Sequence, residues 1–205
     1  MSGRFPLGRG VWHKNGVMAP VRARKERPPL DQNKVDELAL RYVERFATTR
    51  GKLRDYLRRK LRERGWEGER EPDLEAIGER FAELGYVDDA AYALSKARSL
   101  SGRGYGKRRL DQKLRAAGVE DADGEEARSH ADEEAVTSAL RFAERRRLGP
   151  FAAAPYRDPK QREKALAAMV RAGHGFGLSR AIIALPPGAE IDANQLQDSA
   201  GLPHN

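Results

Sequence analysis

The chain contains no cysteine. Disulfides, thiolate nucleophiles and cysteine-ligated metals are excluded, and a reducing cytoplasm is compatible with the composition. Aromatic residues are only 7% of the total, and the mean hydropathy is −0.77. Such a chain is lean for one large core and suits thin helical layers, each burying a single stripe. No apolar run approaches the roughly 18 residues of a membrane span. The N-terminus is basic but has no apolar segment behind it, so a signal peptide is not expected. A cytoplasmic protein without a membrane partner is the expectation.

Catalytic signatures are also missing. The histidines His13, His130, His174 and His204 are scattered, without metal-ligand spacing. His174, between glycines at a helix end, suits a capping or surface role. The stretch SGRGYGKR, from Ser101 to Arg108, is a near-miss to a phosphate-cradling loop. That loop needs glycine at 101, Ser or Thr at 108, and a strand before it. A run of acids around Gly124 lacks the regular ligand alternation of a calcium loop. It reads as a solvated linker or a helix start. No enzyme activity, cofactor or metal is expected.

Charge is what the chain has in plenty. Charged residues are 34% and the net charge is +8, which points to a polyanionic partner. Residues 1–32 are rich in Gly, Pro and Arg without apolar periodicity, and read as a flexible basic arm. From there on, helical periodicity dominates. Val35, Leu38, Ala39, Tyr42, Val43 and Phe46 make one stripe over 33–48, which Gly51 breaks. Leu53, Leu57 and Leu61 make the next, over 52–64. Asp73 opens a third helix with Leu74, Ile77, Phe81 and Leu84 inward. Asp88 or Asp89 caps a fourth, which carries Tyr92, Ala93, Ala97 and Leu100. Gly102, Gly104 and Gly106 stop it. Leu110, Leu114 and Ala117 follow, up to Gly118. A helix over 132–148, another opened by Asp158-Pro159 and a short one over 178–185 complete the pattern. The remainder reads as a polar, fraying tail.

One unit recurs. A glycine-containing joint at 50–52, 104–106 and 175–177 each time precedes inward positions at matching steps: Leu57 and Leu61, Leu110 and Leu114, Ala181 and Leu185. Hairpins at 33–65, 88–118 and 158–185 result. Such hairpins cannot bury both stripes alone and must stack. The expected fold is all-α, an irregular, curved array of tandem three-helix units of helix-turn-helix type. The expected divisions are arm 1–32, repeats 33–85, 86–130 and 131–185, and tail 186–205. The basic surface falls mainly on the second helix (Arg58, Arg59, Arg62) and on the central joint (Arg98, Arg103, Lys107, Arg108, Arg109, Arg115). Gln112 is the only base-reading amide between Lys107 and Gly118, so phosphate contact is expected rather than groove readout.

The order GYVDD, an aromatic-Ala pair, Arg98, then GYGKRRLDQKLRAAGV resembles the central repeat of the RecX proteins, regulators of the RecA recombinase. The residues carrying it are Gly85, Tyr86, Asp88, Asp89, Tyr92, Gly104, Gly106, Leu110 and Leu114. The likeness spans about 35–185, is strongest over 85–119, and extends to 40–65 and 171–185. Lys52 stands where that family commonly has an aromatic. The resemblance implies a non-enzymatic modulator lying in the groove of the RecA–DNA filament; a monomer is the separate expectation for its assembly. It would limit filament growth, strand exchange, ATP hydrolysis and co-protease activity in DNA repair and the SOS response. The alternative is a stand-alone basic module binding single- or double-stranded DNA through phosphates.

Overall fold

The computed structural model describes residues 28–200, without the side chains of 199 and 200. The arm expected at 1–32 therefore lies outside the described residues up to position 27. Among the described residues there are ten α-helices: α1 Gln32–Arg45, α2 Arg50–Arg64, α3 Leu74–Glu83, α4 Asp89–Gly102, α5 Lys107–Ala116, α6 Glu125–Glu133, α7 Ala135–Arg146, α8 Pro159–Arg171, α9 Phe176–Ala184 and α10 Ala193–Ala200. Buried apolar side chains gather in three clusters. The first runs from Leu30 to Val87 over α1–α3. The second runs from Ala93 to Ala131 over α4–α6. The third runs from Val136 to Leu196 over α7–α10. Tyr105 packs against both the second and the third. Many small cores in place of one large one follow from the scarcity of aromatics and the narrow helical stripes.

Several boundaries differ from the sequence expectation. Leu30 and Asp31, expected in the arm, belong to the first helical unit. Leu30 is fully buried, and its backbone pairs with Gly65 and Glu67 at 3.0 and 2.9 Å. Asp31 then caps α1 by accepting the Lys34 N–H. Gly51 does not break a helix but lies in the first turn of α2, which Thr49 caps. The break is at Phe46, whose backbone is extended (φ −137°). Of the three joint glycines, Gly102 ends α4 as a helical residue, Gly104 has φ +75° and Gly106 is the N-cap of α5.

The acidic run around Gly124 is the first turn of a separate helix, α6, where Glu125 and Glu126 complement the helix dipole. The helix expected over 132–148 is instead divided at Glu134. Leu84 misses the α3 stripe because the helix ends at Glu83, leaving Leu84 62% exposed. In the third unit, Ala181 and Leu185 are half-buried against the third cluster, while full burial falls on Leu178, Ile182 and Ile183. Finally, the tail after Pro186 does not simply fray. It forms α10 and buries Leu196 in the third cluster. Its one well-placed leucine recovers apolar burial that its polar composition conceals. Residues 201–205 lie outside the described residues.

Candidate partner interface

The GYVDD segment explains how units one and two meet. Asp88 is the N-cap of α4 and accepts the Ala91 N–H at 2.8 Å. Asp89 is different. It is buried and accepts the backbone N–H of Arg50, the first residue of α2, at 2.9 Å. One of the two aspartates thus caps its own helix and the other serves the free N-terminal amides of a neighbour. Burial raises the Asp89 pKa, against the lowering effect of the Arg50 N–H and guanidinium. Arg50 reaches Asp123 at 2.6 Å, Glu79 at 2.9 Å, Asp89 at 3.5 Å and Glu120 at 3.8 Å. Burial opposes its charge, but these carboxylates outweigh burial and raise its pKa. Lys52, where an aromatic was expected by resemblance, donates to the Tyr92 hydroxyl and lies 4.3 Å from its ring centroid. It too ties α2 to α4.

The second junction uses helix ends. Gly106 donates to Ala172 O at 3.1 Å, and Arg108 N–H to Gly173 O at 3.2 Å. The N-terminus of α5 thereby receives carbonyls from the C-terminus of α8, satisfying groups that both helices leave open. His174 was expected at a cap or on the surface. It is instead 2% exposed, with Nε2 3.2 Å from Gly104 O and its ring 5.7 Å from Phe142. Burial pushes its pKa down to about 4, the contact with Gly104 O opposing.

The sequence-expected cations differ in exposure and in partners. On α2, Arg58, Arg59 and Arg62 are exposed. Arg58 pairs with Asp55 at 2.8 Å and Arg59 lies 3.8 Å from Glu63. Arg98, Arg108 and Arg115 are exposed, whereas Lys107 is held by Asp132. Arg103 and Arg109 fall in different company. Arg109 lines an open groove of about 430 Å³ together with Tyr105, Phe142, Arg145, Arg146, Ala168, Arg171 and Ala172. No carboxylate is among those lining residues. Arg103 and Arg145 lie 5.3 and 5.8 Å from the Tyr105 ring centroid. Arg145 also donates to Arg103 O, and Arg141 to Ser101 O at 3.0 Å, closing the C-terminus of α4.

Sequence reasoning missed Arg145, Arg146 and Arg171 as groove residues. The run Arg145–Arg147 reads as a favourable charge at a helix C-terminus, and α7 does carry two of them in its last turn. Only the packing of α7 and α8 around Tyr105 makes them a surface. Arginine forks in such a groove match phosphate or carboxylate oxygens in pairs. Among the described residues no group of His, Asp or Glu could hold a metal ion, and no helix is long and apolar enough to cross a membrane.

Helical units packed one against the next, with arginines gathered at a seam, make a basic helical array. Residues 88–127 match the family model described as the second three-helix domain of RecX. The chain is 33% identical over 182 residues to the regulatory protein RecX of Myxococcus xanthus, covering 85% of this chain and 95% of that one. It is 35% identical over 156 residues to its counterpart in Thermobifida fusca (71% and 75% covered). It is 32% identical over 171 residues to that of Streptomyces lividans (82% and 86% covered). The chain belongs to the RecX family of regulatory proteins. Its fold matches the crystal structure of RecX from Lactobacillus salivarius with a TM-score of 0.52 at 23% identity, covering 74% of this chain and 93% of that one.

Proposed function

We propose that this protein is a non-enzymatic modulator, mainly an inhibitor, of the RecA recombinase. It lies as a monomer along the groove of the RecA–DNA filament and limits filament extension, strand exchange, ATP hydrolysis and co-protease activity. Membership of the RecX family supports the partner. The observation that carries the mode of binding is the groove lined by Arg109, Arg145, Arg146 and Arg171 without a carboxylate. A seam between two units can touch two neighbouring filament elements at once, so weak contacts add through effective concentration.

The test is RecA's ATP hydrolysis on single-stranded DNA with this protein titrated in. The wild type is expected to inhibit at stoichiometric amounts. The double variant Arg146→Ala and Arg171→Ala, both exposed at helix ends, is expected to inhibit at least ten-fold less well, about 1.4 kcal/mol. Unchanged ATP turnover with the wild type defeats the reading. Inhibition by both proteins moves the contact away from the groove.

The same groove favours a second reading, a basic module that binds nucleic acid by itself. It predicts affinity for bare DNA that falls steeply with salt through counterion release. Absent or salt-insensitive binding defeats it.

A further inference from the structure

The groove accounts for phosphates. A different surface, on the first unit, offers ring faces. Tyr42 of α1 stacks on Tyr56 of α2 with centroids 4.2 Å apart and planes 11° from parallel. Phe46 continues the row, 5.4 Å from Tyr42 and tilted by 52°. Tyr42 and Tyr56 pack on the first core cluster, but Phe46 does not belong to it. Phe46 is 51% exposed, at the break between the two helices. Cations lie over the outer rings of the row. Arg45 lies 5.7 Å from the Phe46 centroid, and Arg59 and Lys60 lie 5.6 and 5.8 Å from that of Tyr56.

Single exposed apolar residues are ordinary; Phe46 differs in continuing a row of rings, so its exposed area adjoins two further aromatics. Its surroundings say what covers it. Residues 41–64 hold ten Lys and Arg against three acids; Arg50 and Arg54 are taken up by carboxylates of other elements, and Arg45, beside Phe46, is exposed. A protein hot spot sits in a well-packed, desolvated pocket, whereas Phe46 stands half in water at a helix break. A ring among cations suits a partner that is both aromatic and anionic. Single-stranded nucleic acid is that partner, since each nucleotide pairs a π face with a phosphate. A duplex hides its base faces inside its own stack. We infer that the Phe46–Tyr42–Tyr56 row is a stacking platform for unpaired bases, centred on Phe46, with Arg45 and Arg59 serving the adjoining phosphates.

This deepens the proposed function by giving the first unit its own hold on single strands. The test needs no RecA, so the two readings fail separately. Binding to a labelled oligothymidylate and to an abasic strand of the same length is measured by fluorescence anisotropy across a salt series. Phe46→Ala is expected to weaken oligothymidylate binding roughly ten-fold. It is expected to leave abasic-strand binding unchanged, together with the slope of log affinity against log salt. Phe46→Trp is expected to retain wild-type affinity. Arg146→Ala with Arg171→Ala is expected to do the opposite, reducing the salt slope on both strands. Urea unfolding checks the fold, and Phe46→Leu repeats the measurement with apolar volume but no ring. Equal effects of Phe46→Ala on both strands, no effect on either, or full affinity in Phe46→Leu overturns the platform.

Discussion

His174 shows what one residue contributes at a seam. It is buried between Gly104 O and the Phe142 ring, and its pKa falls from 6.5 to about 4 because burial disfavours the cation. Between those two values the unfolded chain binds a proton that the folded chain excludes. Stability attributable to this residue is therefore complete above pH 6.5 and is lost as pH falls toward 4. The expected loss is about 3 kcal/mol. Urea midpoints measured from pH 7 to 4 check it, and His174→Gln should flatten the profile over that range. A wild-type profile no steeper than the variant's would show that the ring stays accessible to protons.

At the scale of elements, glycines bring backbone against backbone at both junctions. A Cβ on Gly106 would lie 2.4 Å from Gly173 O, and one on Gly51 would lie 2.8 Å from Ala117 O. Neither obstacle is the flexible end of a side chain, so a unit must shift to admit the methyl group. Gly106→Ala is expected to lower stability by about 2 kcal/mol through overpacking. Gly102 has nothing within 4 Å of its would-be Cβ, and Gly102→Ala at the end of α4 should be neutral or stabilising by about 0.5 kcal/mol. The two variants sit four residues apart, and comparing their denaturation midpoints separates close approach from backbone freedom. Equal midpoints would mean that the seam yields.

Across the whole molecule, Arg50 is the tie between the first two units. Its side chain is 20% exposed and contacts carboxylates from α3, α4 and the segment before α6. Arg50→Ala leaves Asp89, 3% exposed, as a buried charge without its counter-ion. The expected cost is about 3 kcal/mol. Asp89→Asn keeps an oxygen that can accept the residue-50 N–H while removing the charge, so the double variant should recover part of that loss. Additive single effects in the cycle would place the tie elsewhere.

The sequence by itself determined most of the helices, because each stripe repeats at the helical period and several starts, at Asp73, Asp88 and Asp158, carry a capping residue. It also determined the family, because Gly85 to Gly118 carries a specific order of residues. The all-α array and its stacked hairpins were legible for the same reason. What the sequence left open depends on distance in space. Asp88 and Asp89 are alike in the chain, and only α2 arriving beside α4 gives Asp89 its separate task. Leu30 and Leu196 stand alone in polar stretches, so no periodicity marks them as buried. The split at Glu134 interrupts a pattern that stays helical on both sides. Arg145, Arg146 and Arg171 look like ordinary helix-end charges until α7 and α8 close around Tyr105. Local periodicity is written in neighbours along the chain, whereas a groove and a seam are made by residues whose only relation is that the units pack.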